Sequence, residues 1–529
     1  MKRILIADSV SDKCITELES KGFRVDYQTD LSPAKLKQTI KNYNALIVRS
    51  ATKVTSEIIA AMDNIEVIGR AGTGVDNIDI ESASRRGILV LNTPGGNTVS
   101  AAEHTMAMIL SMCRNIPMAN SSLAAGKWER KSFKGTELQD KTLGLIGLGK
   151  IGREVAKRAQ AFGMRVVAYD PIVSTDIAEK IKVLLEPLEK LFSHSDIISV
   201  HVPLNDKTKH LISKQTLSRC KKGVKIVNCA RGGIVNENDL LDALASGKVS
   251  SAALDVFETE PPESDNKLLN HPAVVCTPHL GASTEEAQEK VAVQIAKQIA
   301  DYFLNDIISG AVNAPSLQKE ISISLKPYLK LSEVIGIFHS QIMEGHLNTI
   351  EISSWGNELQ SVTELLTASF LKGLLSKQRS EKVNLINAQL LAKEDGIIVN
   401  QIKSNENRAY NNLISVSVKC DDDIKTIEGT IVGKNEIRII SMNNYQVDFN
   451  PIGNLIIYYN EDKPGVLANF SSALAEEKIN IAGLSLGRIE EGKEALTVIK
   501  IDSTLNDDLI NRLKSIEGIN SIFSVTIKI

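Results

Sequence analysis

A glycine-rich turn between a strand-like and a helix-like segment is the feature that most limits how this chain can fold. The turn, Gly147-Leu148-Gly149-Lys150-Ile151-Gly152, directly follows the apolar run 143–146. Behind it, apolar residues return at the spacing of one helix face: Val155, Ala156, Ala159 and Phe162. Because such a turn packs a helix closely against a parallel strand, it predicts a doubly wound α/β sheet.

Each glycine of this turn has an expected role in binding a dinucleotide. Gly147 permits the tight turn, Gly149 lets the backbone approach a pyrophosphate, and Gly152 lets helix and strand pack closely. The helix N-terminus offers free N–H groups to the phosphates. We expect Lys150 to add a cation beside them.

Asp170 follows the next predicted strand, at 165–169. An acid at this position accepts hydrogen bonds from ribose hydroxyls, and its charge repels a 2′-phosphate. The sequence therefore favours NAD over NADP as the cofactor. The alternative is a turn-forming aspartate before Pro171.

Three polar residues, Arg231, Glu260 and His279, each follow one of three further apolar runs. The carboxyl ends of parallel strands lie at one edge of a sheet, so we expect these side chains to meet there. An imidazole can take a hydroxyl proton, a carboxylate can orient that imidazole, and a guanidinium can hold a substrate carboxylate. The set predicts an enzyme that oxidises a 2-hydroxy acid by hydride transfer.

Asp255 ends the second of these runs, and the sequence leaves two roles open for it. It can cap the strand end or contact the nicotinamide side of the cofactor. The other seven histidines are expected to be structural, because none of them has the setting of His279.

A second group of polar residues follows two predicted strands near the start of the chain: Arg49, Ser50, Lys53 and Arg70. The turn beginning at Gly72 adds backbone N–H groups. These groups fit a substrate with a second anion, such as a phosphate, and the alternative is a solvated basic rim. Arg130, beside Trp128, is a further candidate cation that would reach the site from a neighbouring subunit.

Composition narrows the class of protein. A length of 529 residues predicts three or four domains. The net charge of −3 gives no attraction to nucleic acid or anionic membranes, and no segment approaches the ~20 apolar residues of a membrane span. The six cysteines show no metal-ligand spacing, so we expect reduced thiols, no metal site and a cytoplasmic location.

The order of patterns predicts four domains. Residues 1–98 and 284–314 form a discontinuous domain, because an amphipathic helix at 284–303 returns the chain to it. Residues 99–283 form the NAD-binding domain, and Pro315 marks the next boundary. Residues 315–452 mix strands and helices, with a polar loop at 403–407. Residues 453–529 follow the β-α-β-β-α-β order of a ferredoxin-like module.

These motifs, in this order, resemble the D-isomer-specific 2-hydroxyacid dehydrogenases and, within them, the long-form D-3-phosphoglycerate dehydrogenases. The resemblance covers residues 1 to 313 and is specific through four segments. They are Arg49-Ser50-Ala51-Thr52, Gly69-Arg70-Ala71-Gly72-Thr73-Gly74, Asn228-Cys229-Ala230-Arg231-Gly232-Gly233 and Pro278-His279-Leu280-Gly281-Ala282-Ser283. It implies oxidation of 3-phosphoglycerate to 3-phosphohydroxypyruvate, the first step of serine biosynthesis.

The resemblance also implies roles for single residues. Arg231 and Glu260 match the catalytic pair, and His279 matches the acid/base. The matching NAD-contacting positions are Thr73, Lys150, Ile151, Asp170, Val202, Cys229, Ala230, Asp255 and Ala282. Many relatives carry arginine at the position of Lys150, so the charge is kept but bidentate contact is not.

The C-terminal module resembles an ACT domain, a class that often senses amino acids. Asp462-Lys463-Pro464-Gly465 matches its loop, and Asn460, Asp462 and Asn480 match serine-contacting positions. The resemblance implies L-serine as an effector, with its carboxylate near Gly465, and a homo-oligomer, a dimer or a tetramer. The alternative for the module is a purely structural role in dimerisation.

Two other functions compete with this interpretation. One is a dehydrogenase for another 2-hydroxy acid, such as an enzyme that reduces glyoxylate or hydroxypyruvate. The other is an NAD-sensing corepressor, which would use the same fold as a binding platform, because fold alone does not decide function.

Overall fold

A five-stranded parallel sheet of order β2-β1-β3-β4-β5 holds the first part of the chain. The computed structural model describes residues 1–318, 322, 324–404 and 409–528. The elements are β1 Arg3–Ile6, α1 Asp12–Ser20, β2 Arg24–Tyr27, α2 Pro33–Thr39, β3 Ala45–Val48, α3 Ser56–Ala60, β4 Val67–Arg70, α4 Ile80–Arg85 and β5 Leu89–Leu91. The two strands predicted near the start of the chain, before Arg49 and at Arg70, are confirmed as β3 and β4.

The central part of the chain forms a seven-stranded parallel sheet of order β12-β11-β10-β9-β6-β7-β8. Its elements are α5 Thr98–Cys113, α6 Ile116–Ala124, β6 Thr142–Ile146, α7 Lys150–Ala161, β7 Arg165–Tyr169, α8 Thr175–Lys180, β8 Leu184–Leu185, α9 Leu188–His194, β9 Ile197–Val200, α10 Lys214–Arg219, β10 Val224–Asn228, α11 Glu237–Ala245, β11 Val249–Leu254 and β12 Val274–Cys276. The strand order reverses between β6 and β9, where such sheets open a ligand crevice at their carboxyl ends.

Helix α12, Glu285–Asn305, returns the chain to the first sheet, as predicted. Its apolar face is buried in the same core as Ile4 and Ile47. Gly69 in β4 allows this close approach, because a Cβ there would lie 2.7 Å from Ile295. The prediction that Phe162 lies on the buried face of α7 is wrong. The helix ends at Ala161, and Phe162 is 46% exposed.

A mixed six-stranded sheet of order β14-β13-β15-β16-β17-β18 follows, antiparallel except between β13 and β14. Its elements are α13 Lys326–Ile342, β13 Leu347–Trp355, α14 Asn357–Gln360, α15 Thr363–Leu375, α16 Ala388–Glu394, β14 Ile398–Ser404, β15 Leu413–Cys420, β16 Asp423–Val432, β17 Glu436–Met442 and β18 Tyr445–Phe449. The predicted polar loop at 403–407 is wrong for 403 and 404, which belong to β14. Residues 405–407 lie outside the described residues.

The last four-stranded antiparallel sheet has the order β20-β21-β19-β22. Its elements are β19 Gly453–Glu461, α17 Val466–Glu476, β20 Ile481–Arg488, β21 Glu494–Ile501, α18 Asp507–Lys514 and β22 Ile519–Ile527. This is the predicted β-α-β-β-α-β order. One face is covered by α17 and α18, while residues such as Ile457 and Val525 share a core with Phe338 of α13. Within the described part of the chain, no helix is long and apolar enough to span a bilayer.

Candidate active site

Arg231, Glu260 and His279 come together at one edge of the seven-stranded sheet. They follow β10, β11 and β12, which are direct neighbours in the sheet, as expected from the sequence. His279 Nδ1 lies 2.7 Å from Glu260 Oε2. This contact leaves Nε2 as the ring nitrogen available to a substrate, which is the arrangement that a general acid/base needs.

Glu260 is held as a carboxylate beside this imidazole. Its second oxygen, Oε1, accepts a hydrogen bond of 3.1 Å from the backbone N–H of Phe257. Burial opposes ionisation, but the hydrogen bond and the charge of His279 prevail and hold the pKa of Glu260 below its ordinary value. An ionised Glu260 stabilises the imidazolium that forms when His279 takes a proton.

Asp255 fixes the turn that carries His279. Its fully buried carboxylate accepts hydrogen bonds from the backbone N–H groups of Leu280 at 2.7 Å and Gly281 at 2.9 Å. His104 Nε2 lies 3.1 Å away. Burial opposes ionisation, yet these donors hold the pKa of Asp255 below its ordinary value. Asp255 therefore caps the strand end, and its contact with the cofactor stays a prediction.

Arg231 joins the two domains that face each other across the site. Its Nε donates to Asp76 Oδ2 at 2.8 Å, and its Nη1 donates to its own domain at Ala230 O, 2.7 Å away. Gly74 leaves room for this reach, since a Cβ there would lie 1.7 Å from Arg231 Nη2. Asp76 was not among the residues predicted for the site. Its position directly after the turn at 72–75 was the sequence feature that could have suggested it.

Two arginines of the first domain lie close to this bridge. Burial, and then the charge of Arg231, lowers the pKa of Arg70 to about 10. Burial also lowers the pKa of Arg49, while the charge of Asp8 acts in the opposite direction. Asp8 accepts the backbone N–H of Arg49 at 2.6 Å and so orders the loop after β3. Two desolvated guanidiniums near a third make a strong site for an anion.

A cleft of about 640 Å³ lies between the domains, and Arg49 is not part of its lining. Its lining includes six residues that the sequence analysis named: Ser50, Lys53, Arg70, Arg231, Glu260 and His279. Gly72 lies directly behind Arg70, where a Cβ would be 2.3 Å from its Nη1. Arg130 is exposed on the turn after α6, away from the described lining of the cleft.

The glycine-rich turn leaves space of the right kind for a pyrophosphate. Gly147 has a φ of +101°, and a Cβ there would lie 2.6 Å from His201 O. A Cβ on Gly152 would lie 2.3 Å from Gly147 O, whereas one on Gly149 would meet nothing within 4 Å. The first-turn N–H groups of α7, including that of Ile151, have no carbonyl partner within the helix. The turn thus fits the diphosphate of a dinucleotide.

Asp170 is already engaged with the backbone around it. Its Oδ2 accepts from Leu148 N at 2.8 Å, and its Oδ1 accepts from Ile172 N at 2.9 Å. Burial opposes ionisation, but these N–H donors hold its pKa below the ordinary value. The turn-forming role is therefore present, and the ribose contact stays a prediction. Lys150 Nζ donates to Pro94 O at 3.2 Å, on the connection between the domains.

The other predicted cofactor residues lie around the same crevice. Val202 follows β9 and lies 2.9 Å from the position of a Cβ on Gly147. Cys229 and Ala230 follow β10, and burial raises the pKa of the Cys229 thiol to about 12. Ala282 follows the His279 turn. Thr73 Oγ1 donates to Asn97 Oδ1 at 2.8 Å, at the entrance of α5.

Three of the four predicted effector residues, Asn460, Asp462 and Gly465, lie at or just beyond the carboxyl end of β19. Asn480 does not lie with them. It precedes β20, whose first residue is aligned through Ile501 of β21 with Asn454, at the opposite end of β19. Asn460 is 6% exposed and accepts from Thr497 Oγ1 at 3.1 Å. Asp462 accepts from Arg488 Nη1 at 3.1 Å, and Asn480 Nδ2 donates to Asp502 at 2.7 Å. Gly465 caps α17 with a φ of +98° and would accommodate a Cβ without contact. Each of the three polar side chains thus has its own partner in the domain.

Comparison with known proteins assigns the chain to a family. The D-isomer specific 2-hydroxyacid dehydrogenase NAD binding domain matches residues 106–281. The D-3-phosphoglycerate dehydrogenase intervening domain matches residues 324–443, and the ACT domain matches residues 454–518. D-3-phosphoglycerate dehydrogenase of Bacillus subtilis is 40% identical over 522 residues, which are 99% of both chains. The chain belongs to the D-3-phosphoglycerate dehydrogenase family.

Other relatives agree with this assignment. The D-3-phosphoglycerate dehydrogenase of Methanocaldococcus jannaschii is 41% identical over 523 residues, again 99% of both chains. A solved D-lactate dehydrogenase of Aquifex aeolicus, complexed with NAD and lactic acid, is 29% identical with a TM-score of 0.52. The match covers 57% of this chain and 96% of that one. The predicted family, fold class and NAD cofactor are confirmed, and the chain is an NAD-dependent oxidoreductase.

Proposed function

We propose that this chain oxidises 3-phospho-D-glycerate to 3-phosphohydroxypyruvate with NAD, the first step of L-serine biosynthesis. The observation that carries this proposal is the composition of the cleft. Lys53 and Arg70 lie on one side of it, and Arg231, Glu260 and His279 lie on the other. A substrate with a phosphate at one end and a carboxylate next to its reacting carbon fits both groups at once.

The residues of the chain divide the chemistry between them. Arg231 holds the substrate carboxylate, and Arg49, Lys53 and Arg70 supply the charge that holds the phosphate. His279 Nε2 takes the proton of the hydroxyl on C2, and Glu260 stabilises the resulting imidazolium. When bound, NAD supplies the nicotinamide ring that accepts the hydride from C2.

The experiment that tests this proposal is a comparison of substrates. Formation of NADH is followed with 3-phosphoglycerate and with unphosphorylated D-glycerate, and consumption of NADH is followed with glyoxylate and hydroxypyruvate. We expect the highest kcat/KM with the phosphorylated substrate. A higher kcat/KM for glyoxylate would favour the alternative 2-hydroxy acid dehydrogenase. Absence of turnover with every substrate would favour the corepressor-like alternative.

We also infer that the ACT domain binds L-serine and lowers turnover. Three features support this inference: the match to the ACT family, the exposed start of α17 at Gly465, and the polar side chains of Asn460 and Asp462 at the adjoining end of β19. Asn480, at the other end of the sheet, is not part of this group. A ligand carboxylate would meet the N–H groups at the start of the 11-residue helix α17. Inhibition would then need coupling between this domain and the cleft.

We further propose a cytoplasmic homo-oligomer. Several large apolar side chains of the NAD-binding domain are exposed on α6 and on the turn after it: Ile116, Leu123 and Trp128. Val99, in the first turn of α5, is also exposed. Such a surface is typical of an interface between subunits. Contact through this surface would place Arg130 close to a neighbouring subunit, as expected from the sequence. All six cysteines are free thiols, which suits a reducing compartment.

A further inference from the structure

Helix α4 physically connects the catalytic cleft with the intervening domain. The loop that leads into it, 71–79, carries Asp76 and Asn77 at the cleft. The chain after its last turn, at Gly87, contacts a segment almost three hundred residues away, at Asn384. The helix has six residues and so spans only ~9 Å. A shift at one end is therefore transmitted to the other.

At the cleft end, Asn77 forms hydrogen bonds with both segments that carry the arginines, the loop after β3 and the end of β4. Its Nδ2 donates to Arg49 O at 3.0 Å and to Thr52 O at 2.7 Å, and its Oδ1 accepts from Arg70 Nε at 3.3 Å. The backbone adds a further bond, since Val54 N donates to Asn77 O at 2.7 Å. The position of Asn77 thus fixes Arg49 and Arg70 relative to each other.

At the far end, the intervening domain caps the helix. The last carbonyls of a helix have no partner within it. Asn387 Nδ2 donates to Arg85 O at 3.2 Å, and Asn384 Nδ2 donates to Gly87 O at 2.7 Å. Gly87 has a φ of +68°, and a Cβ there would lie 2.4 Å from Asn384 Nδ2. Only glycine permits this approach without a shift of the asparagine.

The two amides, rather than the nearby ion pair, give this contact its specificity. Arg85 and Glu394 lie 3.2 Å apart, but their side chains are 57% and 35% exposed, and such pairs contribute little. Asn387 is 1% exposed and Gly87 is also buried, so the amide contacts are less open to solvent than the ion pair. Ile386, between the two asparagines, packs against the core of the first domain.

We propose that Asn384 and Asn387 are positioning residues for the substrate cleft, acting through α4 and Asn77 on Arg49 and Arg70. The identity of the affected substrate rests on the proposed function. The link from Asn384 and Asn387 through α4 to Asn77 does not. The intervening domain shares a hydrophobic core with the ACT domain, through residues such as Phe338 and Val525. The same contact therefore gives a contiguous route from the ACT domain to the cleft.

Hydrogen exchange on the full chain tests the link without any substrate. Asn384→Asp keeps the oxygen that accepts from Ile386 N but removes the donor to Gly87 O. We expect the amides of Arg49, Thr52 and Val54 to exchange several-fold faster in this variant. Asn400→Asp, an exposed position of the same domain, is the matched control. Unchanged exchange at 49–54 in Asn384→Asp would overturn the proposal.

Kinetics then tests the consequence for the substrate. Asn384→Asp should raise KM for 3-phosphoglycerate by ~3- to 10-fold, with kcat and the KM for NAD unchanged. In the double variant that combines Asn384→Asp with Asn77→Ala, the increase in KM should be smaller than the product of the increases in the two single variants. The reason is that both substitutions act on the same chain of contacts. Effects that multiply fully would overturn the proposal. A wild type inactive on 3-phosphoglycerate would refute the proposed function alone, since hydrogen exchange would still decide the link.

Discussion

Asp76 of the first domain and Arg231 of the NAD-binding domain meet across the cleft at 2.8 Å. The bond orients the guanidinium from the domain opposite its own, and the negative charge of Asp76 also acts on Arg70. If Arg231 holds the substrate carboxylate, as proposed, Asp76 orients that group from the facing domain.

Asp76→Ala should lower kcat/KM for 3-phosphoglycerate by ~10-fold, mostly through KM, because Arg231 loses its orientation and repels Arg70. Because Asp76 is largely exposed, the effect should weaken at high salt. Steady-state kinetics at two ionic strengths measures both effects. Asp63→Ala, at an exposed position of the same domain, should behave as wild type. An unchanged KM in Asp76→Ala would show that Arg231 needs no partner.

Glu260→Gln should lower turnover by ~10- to 100-fold, because the neutral amide cannot stabilise the imidazolium that forms on His279. In the wild type the pKa of Glu260 is held below its ordinary value, so the carboxylate is lost only as the pH falls below the pKa of an ordinary glutamate. His279→Ala should lower turnover by ~100- to 10,000-fold. The measurement is kcat/KM between pH 5 and 9. Wild-type turnover in Glu260→Gln throughout this range would remove Glu260 from the acid–base pair.

Asp170→Asn should erode the preference for NAD over NADP. The amide oxygen can still accept a backbone N–H, but the charge that repels a 2′-phosphate is lost. The useful quantity is the ratio of kcat/KM for the two cofactors, since damage to the glycine-rich turn would affect both equally. A wild type that uses NADP as well as NAD would contradict the role of Asp170.

Asp462→Ala should abolish inhibition by L-serine and leave uninhibited turnover nearly unchanged. Coupling of this kind is typically worth ~1–3 kcal/mol, or about 5- to 150-fold in affinity. Calorimetry with the whole enzyme measures binding, and an assay with added serine measures inhibition. Asp507→Ala, on the exposed first turn of α18, should keep serine sensitivity. Absence of serine binding to the wild type would refute the sensor, and binding without inhibition would refute the coupling.

Local patterns predicted the elements that build the site. The sequence predicts the turn at 147–152 and the strands before Arg231, Glu260 and His279, because residues close in sequence determine these elements. Residues that act across domains could not be predicted in this way. Asp76 and Asn384 have ordinary local surroundings, and their roles depend on how folded domains face each other. Phe162 was misplaced because periodicity does not show where a helix ends.

We infer that one cleft holds both the phosphate and the reacting carbon of the substrate, and Arg70→Ala separates these two roles. The measurement is kcat/KM for 3-phosphoglycerate and for D-glycerate, in the wild type and in this variant. Because Arg70 lines the cleft, is partly buried and would face the phosphate, we expect kcat/KM for the phosphorylated substrate to fall by ~100-fold or more. We expect little change with D-glycerate. Equal losses on both substrates would make Arg70 structural and contradict this inference.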